Sequence, residues 1–377
     1  MLKTAAPSVF YEKTGGNKME YLLEWVLRAV PVYGYVTDEE DYATQSESDI
    51  SYETIIAREA LDENYVDETT GEVVTSAEGE LQLPAEEPES AADSEEKTEE
   101  AQEQTQEDVS GGQVQGGSFV PNQTPVVTYS KEKLNDFDYL IQNFYVVDRT
   151  TTINSSQLNA ADLLGRSMKL THGPDAPQIL IYHTHSQERF ADSVPGDAAT
   201  SIVGAGEYLT QLLGGYGFHV LHHTGEYDVD TRDDAYSRAG PVIEQILKEN
   251  PSIEVVIDLH RDGVPEGKRL VTDVQGKQTA SIMFFNGLSR TTANGDISYL
   301  PNPYIQDNLA FSLQMQIAAQ EYYPGFSRMI YLKGYRYNLH YCPKSLLVEV
   351  GAQTNTVQEV MNAMEPLADI LAKVISP

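Results

Sequence analysis

The sequence predicts an α/β domain built on a mostly parallel, twisted sheet flanked by helices, preceded by a long disordered acidic linker. Three observations predict it. From residue 178 to the C-terminus, short and almost wholly apolar runs alternate with longer stretches of helical spacing. The apolar runs are continuous, as expected of strands covered on both faces. The acidity is also confined to one segment. Residues 38–108 hold 26 acidic and two basic residues, a net of −24, which leaves −9 of the formal −33 for everything else.

Residues 1–36 read as a mixed leader. Within it, 19–30 (MEYLLEWVLRAV) has the makings of one or two amphipathic helical turns, stopped by Pro31. The most apolar stretch, 21–36, contains Glu24 and Arg28 and is shorter than the roughly 20 apolar residues of a spanning helix. The chain as it stands therefore reads as soluble, its leader docking on the main domain or following a membrane anchor. Residues 37–130 read as linker, rich in Glu, Asp, Gln, Ser and Thr and closing with Gly111-Gly112 and Gly116-Gly117. Such a segment buries too little apolar surface to offset its chain entropy, and its self-repulsion extends it as a tether.

Aromatic and apolar residues return in 131–170, an entry segment expected to pack on the domain formed by 171–377. Strands are expected at 178–182, 218–222, 254–259, 281–286, 346–350 and 329–337. Helices are expected at 203–213, 236–249, 303–323 and 356–375, the last with Val357, Val360, Met364, Leu367, Ile370 and Leu371 at helical spacing. No basic stripe suits nucleic acid, which excludes that partner class. Cys342 is the single cysteine, so a metal site must draw on His and carboxylate ligands.

Three of the expected strands end in ionisable residues. ILIY leads into His183-Thr184-His185 and Glu188, VVIDL into His260-Arg261-Asp262, and SLLV into Glu349. In open α/β sheets, ligands bind at the carboxyl ends of strands. Glu207 adds a carboxylate near the start of the helix after the first strand. Two imidazoles, a carboxylate ligand and a spare glutamate are the usual donors of a hydrolytic zinc site. Taken singly, each has a plainer explanation: Glu207 as a helix cap, His260 as a satisfied core histidine, Glu349 as an ion-pair partner of Arg261 or Arg238.

The segments IYHTHSQERF (181–190), VIDLHRDGVP (256–265) and LLVEVGAQTN (346–355) resemble the stage II sporulation protein P family, the cell-wall hydrolases of forespore engulfment. AYSRAGPVIEQIL (235–247) and NPYIQDNLAFS (302–312) look typical of it too. The resemblance implies a zinc amidase-like fold and N-acetylmuramoyl-L-alanine amidase activity, with endopeptidase action on peptide cross-links reported alongside. It implies Zn²⁺ on His185, Glu207 and His260, with Glu349 catalytic. Where the general amidases have a Gly-rich turn, this chain has His183-Thr184-His185. His183 therefore stands as an alternative ligand or a catalytic proton-shuttling residue, and Glu188 as an alternative to Glu207 or a substrate-binding residue. Arg261 and Arg238 are expected to bind stem-peptide carboxylates. The resemblance further implies a peptidoglycan substrate, a septal partner in stage II sporulation protein D, membrane association, and an extracytoplasmic location at the sporulation septum. The other readings are a non-catalytic envelope adaptor with a vestigial site, and a zinc carboxypeptidase acting on stem peptides.

Overall fold

The computed structural model describes residues 119–377 apart from 230, 233, 266 and 294. The expected leader, and the expected linker up to residue 118, lie outside the described residues. Residues 119–129 fall within the expected linker but lie against the domain. The Val126 amide donates to the Glu321 carbonyl at 2.7 Å, and the Asn122 side chain to the Tyr322 carbonyl at 2.6 Å. Phe119 packs its ring 5.8 Å from that of Tyr323, and Tyr129 packs 5.1 Å from Phe144. These aromatic rings give the segment the apolar surface that the acidic stretch before it lacks.

The entry segment forms α1 (Lys131–Leu134), α2 (Phe137–Phe144), β1 (Tyr145–Val147) and α3 (Ala160–Gly165). Asp136 caps α2 by accepting the Tyr139 amide proton at 3.1 Å. This segment does more than pack, because β1 joins the main sheet. Next come β2 (Ile179–Tyr182), α4 (Ile202–Gly215), β3 (Val220–His222), α5 (Ala235–Glu249) and β4 (Val255–Asp262). A hairpin of β5 (Val271–Val274) and β6 (Lys277–Ala280) precedes β7 (Ile282–Gly287) and the small pair β8 (Arg290–Thr291) and β9 (Gly295–Asp296). The chain ends with α6 (Ile305–Tyr322), β10 (Ile330–Lys333), β11 (Lys344–Ala352) and α7 (Val357–Ile375). Thr356 and Glu359 form a capping box at the start of α7.

The seven-stranded sheet has the order β1-β10-β7-β11-β4-β2-β3. Neighbours are parallel except at β7 and β11, which pair antiparallel. The mostly parallel α/β sheet read from the apolar runs is therefore what forms, with one antiparallel seam. Alternation along the strands divides the two faces. Ile179, Ile181, Ile257, Leu259, Leu346 and Val348 face the larger core, which α4, α6 and α7 complete. Leu180, Tyr182 and Val256 point the other way, onto Ala235, Ala239 and Ile243 of α5. The site lies on this second face.

Candidate active site

β2, β4 and β11 are adjacent and parallel, so their carboxyl ends open on the same edge of the sheet. In register, Tyr182 stands beside Asp258 and Glu349 beside His260. Asp258, His260 and Glu349 therefore share the α5 face. Beyond Glu349 the pairing with β4 shifts, and Gly351 adopts φ +59°, where a Cβ would also meet the Asn355 side chain at 2.8 Å. The pairing resumes at Ala352 and Asp262, so this irregularity interrupts the ladder at the rim of the site.

His185, Glu188 and His260 come together, all buried, with their donor atoms within 4.8 Å of one another. Glu188 sits between the imidazoles. Its Oε1 is 3.8 Å from His185 Nδ1 and its Oε2 is 3.7 Å from His260 Nδ1. The two rings are nearly perpendicular, with centroids 5.0 Å apart, and Tyr236 of α5 meets His185 edge-on at 5.7 Å. Arg232 donates to Glu188 Oε1 at 2.9 Å and the Arg261 amide donates to Oε2 at 2.8 Å.

The charges follow from these contacts. Burial favours a neutral Glu188, yet His260, Arg232 and Arg261 hold its carboxyl well below the usual range. Burial would lower His260, but Asp258 and Glu188 together raise it well above the ordinary imidazole value. Burial and the nearby Arg232 keep His185 neutral. Glu349 is pushed up to about 8, chiefly by burial. His260 pulls it back, while the neighbouring Asp262 and Glu188 carboxylates push it further. Two imidazoles and a carboxylate are a donor set that suits a divalent cation.

Two expected site residues are elsewhere. Glu207 was expected as a ligand at the start of its helix. That helix begins at Ile202 after the Ser201 cap, so Glu207 lies a full turn in, on the exposed side. Its side chain is 58% exposed and meets Gln211 at 3.1 Å and His222 Nδ1 at 3.2 Å. Glu188 takes the place in the cluster expected of Glu207. His183 is fully buried against α4, its Nε2 3.0 Å from His222 Nε2 and its Nδ1 donating to the Leu259 carbonyl at 2.8 Å. Burial lowers its pKa to about 3, so it is neutral.

The arginines expected to bind substrate make contacts within the chain. The Arg261 guanidinium donates to the Arg189 and Asp262 carbonyls, each at 3.0 Å. Arg238 on α5 pairs with Asp234 at 3.1 Å and reaches the Tyr227 carbonyl at 3.4 Å. Sequence reasoning missed Asp258, Thr184 and Arg232. Asp258 had a signal, since a carboxylate inside so apolar a run as VVIDL, two residues before His260, must share that histidine's face. Arg232 had none.

The family model for stage II sporulation protein P (SpoIIP) matches residues 39–372. The chain belongs to the stage II sporulation protein P family. The stage II sporulation protein P of Bacillus subtilis (strain 168) is 22% identical over 218 residues, covering 53% of this chain and 51% of that protein. The chain thus matches about half the length of this curated relative. Among solved structures, the N-acetylmuramoyl-L-alanine amidase AmiC2 of Nostoc punctiforme is 12% identical, covers 54% of this chain and 97% of its own, and has a TM-score of 0.34. The CwlD amidase of Clostridioides difficile, solved in complex with the GerS lipoprotein, is 13% identical, covers 52% and 95%, and has a TM-score of 0.32. Likenesses this loose assign no residue of this SpoIIP-family chain a role. Among the described residues, no helix is long and apolar enough to cross a membrane.

Proposed function

We propose that this chain is a zinc-dependent peptidoglycan hydrolase of the sporulation septum that cleaves the N-acetylmuramoyl-L-alanine amide, with action on peptide cross-links alongside. The observation that carries this is the convergence of His185, Glu188 and His260, with Glu349 in register beside His260, at the carboxyl ends of three adjoining strands. Family membership supports the setting and the class of substrate.

His185, Glu188 and His260 would hold the ion, each presenting one donor atom. When bound, zinc supplies a Lewis acid that polarises the amide carbonyl and makes water a nucleophile near neutral pH. Arg232 and the Arg261 amide keep the Glu188 carboxylate ionised and oriented between the imidazoles. Glu349 takes the proton of the attacking water and returns it to the departing L-alanine nitrogen as the C–N bond breaks. The products are a lactyl carboxylate on the glycan and a free amine on the stem peptide. The Glu349 carboxyl is raised to about 8. Positive charge at the adjoining donors draws that value towards neutrality, where one group serves as base and then as acid. Stage II sporulation protein D is the proposed partner, and the extracytoplasmic side of the septum the proposed location.

The test is the Glu349→Gln variant on purified sacculi. It should retain stoichiometric zinc and lose activity by roughly 10²–10⁴-fold. For the wild type, mass spectrometry should find glycan strands freed of peptide. Full activity in the variant rejects the role of Glu349, and shortened stem peptides left on intact glycan reject the amidase specificity.

A further inference from the structure

Asp258 is a second buried carboxylate beside the donor set, and the chemistry above leaves it unused. It is 1% exposed and lies two residues before His260 on β4. The Thr184 amide donates to its Oδ1 at 2.9 Å and the Thr184 hydroxyl to its Oδ2 at 2.6 Å. The same Oδ1 lies 2.7 Å from His260 Nε2. The contact falls short of hydrogen-bond alignment, which leaves the buried Nε2 with this carboxylate as its near neighbour. On the opposite edge of the ring, Nδ1 faces Glu188.

We propose that Asp258, clamped by Thr184, is the positioning carboxylate of His260, holding Nε2 so that Nδ1 is the atom presented to the metal. This rests on the metal-binding reading given above. A carboxylate only accepts, and Asp258 at 2.7 Å is the nearer of the two that face the ring, so the one proton the imidazole keeps when a metal takes Nδ1 lies on Nε2. Nδ1 is the nitrogen aimed at Glu188. Outer carboxylates of this kind fix both the tautomer and the ring orientation of metal-bound histidines. Thr184 braces both oxygens of Asp258, and Oδ1 is the one that faces the ring. The residue between His183 and His185 is thereby part of the site without touching the ion. It couples the end of β2, which delivers His185, to the end of β4, which delivers His260.

The test is the zinc affinity of metal-stripped full-length protein, measured by competition with a chromophoric chelator. Asp258→Asn should weaken zinc about 10- to 100-fold. Thr184→Val should weaken it by a smaller factor, and Thr184→Ser, which keeps the hydroxyl, should match wild type. Stoichiometric zinc in the wild type with undiminished affinity in Asp258→Asn overturns the inference and leaves the metal centre standing. A zinc-loaded crystal structure with the ion on Nε2 of His260 does the same. Should Asp258→Asn fail to fold, equal affinities in the Thr184 Val and Ser variants overturn it. Wild-type protein that takes up no zinc overturns the metal-centre reading and the inference with it, and that result is seen before any substitution is made.

Discussion

His183 and His185 are separated by a single threonine, yet they serve opposite faces of one sheet. His183 packs against α4 and the larger core, tied to the Leu259 carbonyl and to His222. His185 lies over the other face, beneath Tyr236 and beside His260. In a continuing strand, residues two apart would share a face. β2 ends at Tyr182, however, and the turn that follows places the two rings on different sides. The α4 face is apolar and deeply covered, so a polar ring there must be satisfied locally and remain neutral. The α5 face gathers Glu188, Asp258, His260, Asp262 and Glu349, where opposed charges set one another's protonation. On the reading proposed above, the same residue type is structural on one side and a metal ligand on the other.

The largest effect separates these two histidines. His185→Ala should abolish stoichiometric zinc and lower sacculus cleavage by at least roughly 10³-fold, as expected when a ligand of a catalytic metal is removed. His183→Ala should keep its zinc but lose about 2–4 kcal/mol of stability in urea unfolding, from the cavity and the orphaned Leu259 carbonyl. The opposite pattern, with zinc lost from the His183 variant and kept by the His185 variant, would break the comparison.

A smaller effect contrasts the two ends of β4. Its carboxyl end carries residues of the proposed site, while Glu254, just before its amino end, ties together neighbouring segments. The Glu254 Oε1 accepts the Thr171 and His172 amide protons at 2.7 and 2.8 Å, and its Oε2 meets Lys344 Nζ at 3.1 Å. Burial alone would raise this carboxyl, but those partners lower it from 4.5 to about 2. A folded value below the unfolded one means the stabilisation is complete above about pH 4.5. It is lost as the pH falls towards 2. Allowing for solvent screening, Glu254→Gln should cost about 1–2 kcal/mol at pH 7. It should also flatten the fall in stability between about pH 4.5 and 2. An unchanged acid limb in denaturant titrations would show that the clasp contributes nothing.

The sheet was legible in the sequence because β2, β4, β7 and β11 are apolar on both faces, and such runs admit few alternatives. β1 was not, since YVV lies in an entry segment whose aromatic content looks like surface packing. Convergence of His260, Glu349 and one histidine of the HTH stretch was legible from their places at strand ends. Which histidine, and which glutamate, was not. That depends on where β2 stops and on how the long loop after Glu188 leads back to α4, and local spacing encodes neither. Asp258 was visible as a misplaced charge in an apolar strand, yet strand-end reasoning passes over a residue two positions inside.

The smallest expected effect belongs to Glu207. The family resemblance implies a ligand at its place near the start of the helix after β2, but on the folded chain it is an exposed member of the α4 side. It reaches His222, which in turn meets His183. Gln211 and the partly buried His222 lower its pKa in a solvated setting, and pairs of that kind contribute little. Glu207→Ala should therefore shift stability by less than about 0.5 kcal/mol and leave both zinc content and sacculus cleavage at wild-type levels. Glu188→Ala, measured beside it, should lose the metal. A Glu207 variant that sheds zinc would mean that the α4 face reaches the reactive centre and that the division between the two sides of the sheet is wrong.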